Sequence, residues 1–334
     1  MPWNRTFRFD DPLQCQEGVH SADVQVLPLE KGNFQADFLS VGMQQLWMQQ
    51  FYISLPIVST IATKPGRRYV GFLSGGRSGQ FKHCGIDVSL DDVVVHAKDA
   101  RHHRTTSEFR YSSLSLAESD LQAACNVLAG CEMPETQPLI RPSPQLRARL
   151  SRLHEVVCRI ARDTPDVLEA PEVLRSLEQN LVHVLVQCLA RGVSIESSKG
   201  WLSSKRIIAR LDEFLEAHPN RPLYLAEICS SIGASERTLR HACEEHLGIG
   251  PIRFLTLRRM QLARRALLQA DGSIAKVTQI ATDFGFWELG RFSVAYRLMF
   301  GETPSQTLRR PPSIEPRSNR PSYPAFANTS PLLN

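Results

Sequence analysis

Ile228-Cys-Ser-Ser-Ile232-Gly233 and Ile280-Ala-Thr-Asp-Phe284-Gly285 carry the same pattern, 52 residues apart. Beyond them, Leu239, Cys243, Leu247, Gly248 and Pro251 answer to Phe292, Tyr296, Phe300, Gly301 and Pro304. The offset there is 53, as though one residue were inserted in the second turn. Such self-similarity marks a repeated supersecondary unit. In each copy a short helix with inward apolar positions is predicted to end at the glycine, which supplies a positive φ. A tight turn follows. The next helix then presents apolar residues at i, i+4 and i+8, a stripe that anchors it to a core. In the first copy Ser235 stands as N-cap, with Thr238 and Leu239 in the first turn. Glu236, Arg237, Arg240, His241 and Glu244 are left on the outer face. An anchored helix with Arg and His outside, near its N-terminal end, suits insertion into a DNA major groove.

Between the copies runs Ile252–Ala270, with no Gly or Pro. It reads as one long helix that sets the two units about one DNA turn apart, on successive major grooves of one duplex face. A single helix-turn-helix would be a weak signal. Two in tandem, with a linking helix and the closure Phe300-Gly-Glu-Thr-Pro304, are specific.

These stretches, with Leu225-Ala-Glu-Ile, Ser235-Glu-Arg-Thr-Leu-Arg and Arg258-Arg-Met-Gln-Leu-Ala-Arg, resemble the DNA-binding domain of the AraC family of bacterial transcription regulators. The resemblance covers residues 201–310, about a third of the chain. It implies base-facing positions at Arg237, Arg240 and His241 in the first unit. In the second it implies positions near Leu289, Gly290, Ser293 and Val294, of which Ser293 is the polar one. Ser235, Thr238, Arg291 and Arg297 are expected at phosphates, so the second unit is expected mainly to position the protein or to sense DNA shape. The resemblance further implies promoter DNA and RNA polymerase as partners, activation as the default, and a small-molecule effector that no residue names. The pairs Arg258-Arg259 and Arg264-Arg265 read as surface charges more readily than as phosphate ligands, and Phe284, Phe286, Phe292 and Tyr296 as core.

Outward from the repeat, the chain of 334 residues exceeds one typical core, so two domains are expected. The net charge of +5 permits an anionic partner without requiring one. The first third reads as β structure to about residue 117: Val24–Leu27, Gln45–Met48, Tyr69–Leu73, Val93–Val95 and Phe109–Leu116, punctuated by Gly and Pro. Short strands with frequent turns suggest a sandwich or small barrel. Apolar residues at helical spacing over Gln145–Arg162 and Pro171–Leu189 predict an amphipathic hairpin that packs on the barrel or pairs between subunits. The fold class expected is thus α+β in two domains: a β-rich, cupin-like barrel with a helical hairpin at 145–189, then an all-α domain with two helix-turn-helix units. The boundaries read as a sensing and dimerisation domain at 1–190, a Ser- and Gly-rich linker at 191–204 and the DNA-binding domain at 205–310. The tail at 311–334, with six prolines, is expected to be disordered.

No apolar run approaches the ~20 residues of a membrane span, and the first residues lack a signal peptide's apolar core. The expected location is cytoplasmic. The eight cysteines form no Cys-x-x-Cys and read as reduced, buried thiols. No nucleophilic triad, phosphate-cradling Gly loop or spaced carboxylate pair is visible, so no enzyme activity and no cofactor is expected. His96, His102, His103 and Glu108 raise a cupin-type metal site, but adjacent residues on a strand face opposite ways and His-x-His is absent, so no metal is expected. Two rival readings stand beside the regulator. One is a cupin-like metalloenzyme fused to a DNA-binding domain, which stoichiometric metal would favour. The other is an architectural DNA binder with no effector, which would show no ligand-dependent stabilisation.

Overall fold

The computed structural model describes residues 3–310 apart from 19–21, 64–65, 76–79, 97–100, 133–138, 196–198 and 219–220. The expected disordered tail lies outside the described residues.

The chain opens with β1 (Trp3–Phe9), α1 (Pro12–Gly18), β2 (Ala22–Pro28), β3 (Ala36–Gly42), β4 (Trp47–Ile53), β5 (Ile57–Thr63) and β6 (Arg67–Leu73). It continues through β7 (Phe81–His83), β8 (Ile86–Val88), β9 (Val93–His96), β10 (Arg101–Thr105) and β11 (Phe109–Ala117). The strands form two separate sheets. One runs β1-β3-β4-β11-β6-β9 and is extended by β12 (Leu139–Arg141) and β13 (Val193–Ser194); the other runs β2-β5-β10-β7-β8. Every pairing among the described residues is antiparallel, and none joins the two sheets into a closed barrel. The β-rich expectation therefore holds in its coarse form, as two layers. Alternation explains the layering: one face of β11 buries Leu114 and Leu116 toward helices, while the other turns Phe109 and Tyr111 toward the second sheet.

The hairpin predicted at 145–162 and 171–189 is present as α3 (Pro144–Asp163) and α4 (Pro171–Arg191), preceded by α2 (Glu118–Ala129). Ser143 caps α3 by accepting from the Leu146 amide, and Pro144 sits where no amide is needed. The apolar stripes, with Leu150, Val157, Cys158, Leu181, Val184 and Leu185, share one core with Leu39, Met48, Val70, Phe72 and Leu114 of the larger sheet. The stripes are spent on this packing. Two features depart from the sequence reading. The sheet does not end near residue 117, since β12 and β13 are recruited from either side of the hairpin. The 191–204 segment is only partly a linker, because β13 pairs with β12 and a helix begins at Lys199.

The rest is helical: α5 (Lys199–Ala217), α6 (Leu225–Ile232), α7 (Glu236–His246), α8 (Pro251–Gln269), α9 (Val277–Asp283), α10 (Leu289–Phe300) and α11 (Pro304–Leu308). The fold is thus α+β, with a β-rich amino-terminal part and a helical carboxy-terminal part. The two parts share apolar surface: Leu27, Leu29 and Val58 belong to the same cluster as Ile228, Leu239, Cys243 and Leu247.

Two arginines expected at the surface are buried. Arg258 is 8% exposed and donates to the carbonyls of Leu215, His218 and Arg221, satisfying the end of α5. Arg264 is 2% exposed and bridges Asp11 of the amino-terminal part to Glu302 and the Tyr296 hydroxyl. Their partners lie far away in sequence, which is why helical spacing alone assigned them to solvent.

Candidate nucleic-acid interface

The repeat folds as two helix-turn-helix units. In the first, α6 ends at Gly233 with φ 63°, and in the second the turn after α9 holds Gly285 at φ 77°. Both angles lie in the left-handed region that glycine enters without a Cβ clash. Ser235 accepts a hydrogen bond from the Thr238 amide at 3.1 Å, as its N-cap role requires. Ile228, Ile232, Leu239, Cys243 and Leu247 are buried, so α7 is fixed by one stripe. Burial pushes the Cys243 thiol up to about 12, which leaves it an inert packing group. In the second unit Phe292 and Tyr296 are buried, with Ile280, Phe284, Phe286 and Phe300 packed around them.

With the stripe inward, Ser235, Arg237, Thr238, Arg240 and His241 of the first unit are all exposed. His241 stands 3.9 Å from Glu245. Thus α7 presents two guanidinium groups and an imidazole on one free face. On α10, Arg291 and Arg297 are exposed and Ser293 is half-buried. Arg291 pairs with Glu288 at 3.0 Å. Val294 is 61% exposed, so this face is the less polar one. Helix α8, 19 residues long, spans about 28 Å at ~1.5 Å per residue, comparable with a DNA turn.

The second unit also borders the amino-terminal part. Gly290, Arg291 and Val294 form one wall of a groove whose other wall is Pro28–Lys31. Arg253 of α8 donates to the Leu29 carbonyl there.

Between the two sheets lies a mainly apolar cavity of about 100 Å³, lined by Phe38, Phe51, Ile57, Ile61 and Phe109, with His96, His103 and Tyr111 among its polar lining groups. Of the four residues weighed for a metal, only His96 and His103 meet. His102 faces the other way, to Asp212 of α5 at 3.2 Å, and Glu108 is exposed and accepts from the Tyr52 hydroxyl. The residue missed was His83, which joins His96 and His103 in a buried cluster whose ligand atoms lie within 4.8 Å of one another. The reading of metal absence therefore rested on an incomplete set. The one sequence signal for His83 was Cys84-Gly85 beside it, a two-residue turn that folds its strand back.

The comparisons with known proteins agree with this geometry. Residues 228–310 match the family described as a helix-turn-helix domain. The chain is 32% identical over 124 residues to "XylDLEGF operon transcriptional activator 2" of Pseudomonas putida, covering 37% of this chain and 77% of that protein. It is 33% identical over 153 residues to a Rhodococcus erythropolis protein named "Probable thc operon regulatory protein", covering 43% and 46%. The match thus spans about half the length of that relative. A crystal structure of ToxT from Vibrio cholerae aligns with 86% of this chain and 97% of its own, at 13% identity and a TM-score of 0.26, too low to carry an argument. On the helix-turn-helix match and the Pseudomonas putida activator, 77% of which it covers, the chain belongs to the AraC family of bacterial transcription regulators.

Proposed function

We propose that this protein is a sequence-specific DNA-binding transcription regulator of the bacterial cytoplasm, acting as an activator that answers to a small molecule. The observation that carries the reading is the pair of anchored helices, α7 and α10, held apart by α8, with Arg237, Arg240 and His241 exposed on the first. Arg237, Arg240, His241 and Ser293 are assigned to base edges, and Ser235, Thr238, Arg291 and Arg297 to phosphates. Activation is supported by the relatives named as transcriptional activators, and RNA polymerase is the corresponding partner. No helix among the described residues is long and apolar enough to cross a membrane.

The effector binds in the cavity between the two sheets, which plays the part of a cupin-like interior. Its mainly apolar walls, with polar groups such as Gln49, Ser59, Thr105, His96, His103 and Tyr111 among them, suit a small, largely apolar molecule that carries polar substituents. Occupancy biases how the amino-terminal part sits against α7 and α10, since both touch it. The sensing domain is assigned to 1–190, its sheet completed by β13, and the DNA-binding domain to 205–310, entered through α5, with self-association of the first into a homodimer. Genome-wide mapping of bound sites, followed by binding titrations on the sites found, tests the reading. Discrete promoter sites bound more tightly than random duplex support it. A folded protein that binds all duplexes alike at low salt overturns it.

A further inference from the structure

His83, His96 and His103 come from three strands and two sheets. His83 and His103 are directly opposed partners in the β7–β10 ladder. His96 ends β9 in the other sheet, opposite Tyr69. All three are buried, and their ring centroids form a nearly equilateral triangle with sides of 5.4, 5.0 and 5.2 Å. His83 Nδ1 and His103 Nε2 are 2.9 Å apart, so one of the pair carries the shared proton and the other offers its lone pair.

We propose that His83, His96 and His103 form a binding site for one divalent transition-metal ion, with Zn2+ the ion that suits three imidazoles and little geometric preference. Three imidazoles at about 2.0–2.1 Å from a zinc ion lie about 3.3–3.5 Å from one another. The nitrogens here, one pair at 2.9 Å and all within 4.8 Å, reach that arrangement with ring movements below about 1 Å. The proton between His83 and His103 must shift to the far nitrogen of its ring, a change of tautomer that leaves both rings neutral. Tyr111 stands beside the site, its hydroxyl 3.1 Å from His96 Nε2. Through that contact the hydroxyl is a hydrogen-bonding neighbour that orients the His96 ring. The fourth position opens on the cavity that His96 and His103 line, where a water or a donor atom of a cavity ligand completes the shell.

The site is mechanically connected to the DNA-binding part. The two residues after His83 form a tight turn with positive φ at both Cys84, 50°, and Gly85, 84°. The Cys84 carbonyl accepts from Trp201 Nε1 at 2.6 Å. A Cβ on Gly85 would lie 2.7 Å from the carbonyl oxygen of Glu245, near the end of α7. Fixing His83 by a metal therefore fixes the turn on which the first helix-turn-helix unit rests.

The test uses the full chain. Stripped with a chelator, the folded protein is titrated with Zn2+ and with Co2+ as spectroscopic probe. The expected result is saturation at one ion per chain and the visible spectrum of a four-coordinate, nitrogen-ligated Co2+. The melting temperature should rise on adding Zn2+. His83→Gln, His96→Gln and His103→Gln each lower affinity by at least about 100-fold, and Tyr111→Phe by about 10-fold, while Cys84→Ser leaves it unchanged. Circular dichroism of the metal-free variants separates loss of ligands from loss of fold, and the wild-type Co2+ spectrum decides if they misfold. The proposal is overturned by folded wild-type protein that shows no saturable binding, by thiolate-to-cobalt charge transfer, or by equal binding in wild type and all three variants.

Discussion

Arg264 offers the most direct test of how the two parts are held together. Its guanidinium is 2% exposed, lies over the Phe300 ring at 4.5 Å and binds Asp11, Glu302 and the Tyr296 hydroxyl. Replacing it by Met keeps most of the volume and removes the charge. Two carboxylates then lose their cation. Glu302 keeps Arg310 at 2.7 Å and the Thr307 hydroxyl at 2.8 Å. The Asp11 carboxylate keeps only the Leu13 amide among the hydrogen bonds described for that side chain, in a site 7% exposed. Orphaning a buried ionic partner costs about 3–5 kcal/mol, and the compensation at Glu302 places this case near the lower end, at about 3 kcal/mol. At about 1.5 °C per kcal/mol for a chain of this length, the melting temperature of Arg264→Met should fall by about 5 °C. Asp11→Asn alone leaves Arg264 with Glu302 and should cost less. The double variant Arg264→Met with Asp11→Asn should recover part of the loss, a coupling of about 1–3 kcal/mol. Calorimetry or circular dichroism on the four proteins reads these values. Additive effects of the two substitutions, or an Arg264→Met protein that melts with the parent, would refute the account.

Three further outcomes are expected. Arg237→Ala and Arg240→Ala should each cost about 1–3 kcal/mol in DNA affinity and relax preference at one or two base positions, while Arg297→Ala should weaken all sequences equally and lower the salt slope by about one; titrations against operator variants at several salt concentrations separate the two patterns. Burial holds His154 down at about 4, so the unfolded chain takes up a proton near pH 6.5 that the native chain refuses; stability present above pH 6.5 should decline by on the order of 3 kcal/mol as pH falls toward 4, and denaturant titrations on His154→Asn should show a flatter profile. Gly85→Ala forces a side chain into the left-handed region and against the Glu245 carbonyl, which should cost at least about 1–2 kcal/mol in thermal unfolding; a neutral substitution would show that the turn does not bear on α7.

The parts of the molecule legible in the sequence are those set by local spacing. The tandem units were readable because each glycine, cap and apolar stripe recurs within one short window, as with Ile228, Gly233, Ser235 and Leu239. The hairpin was readable for the same reason. What escaped depends on contacts distant in sequence. His83 sits on a three-residue strand with no period of its own, and only the β7–β10 register brings it to His103. Arg264 meets Asp11 across more than two hundred residues of chain, with nothing in either neighbourhood to signal burial. Helix α2 carries a weak apolar stripe, burying only Leu121 and Cys125, too few to stand out as a period.

The cluster shared by Leu27, Leu29 and Val58 with Ile228, Leu239 and Leu247 bears on how this architecture can be recombined. A chimaera joined at residues 191–204 would cut through a continuous core as surely as through a linker. It would strip apolar cover from the first helix-turn-helix unit and leave a greasy strand edge on the sensor. Grafting a foreign sensor onto these DNA-binding helices therefore calls for matching the strand that ends at Pro28 and its neighbour that begins at Ile57, as well as the covalent joint.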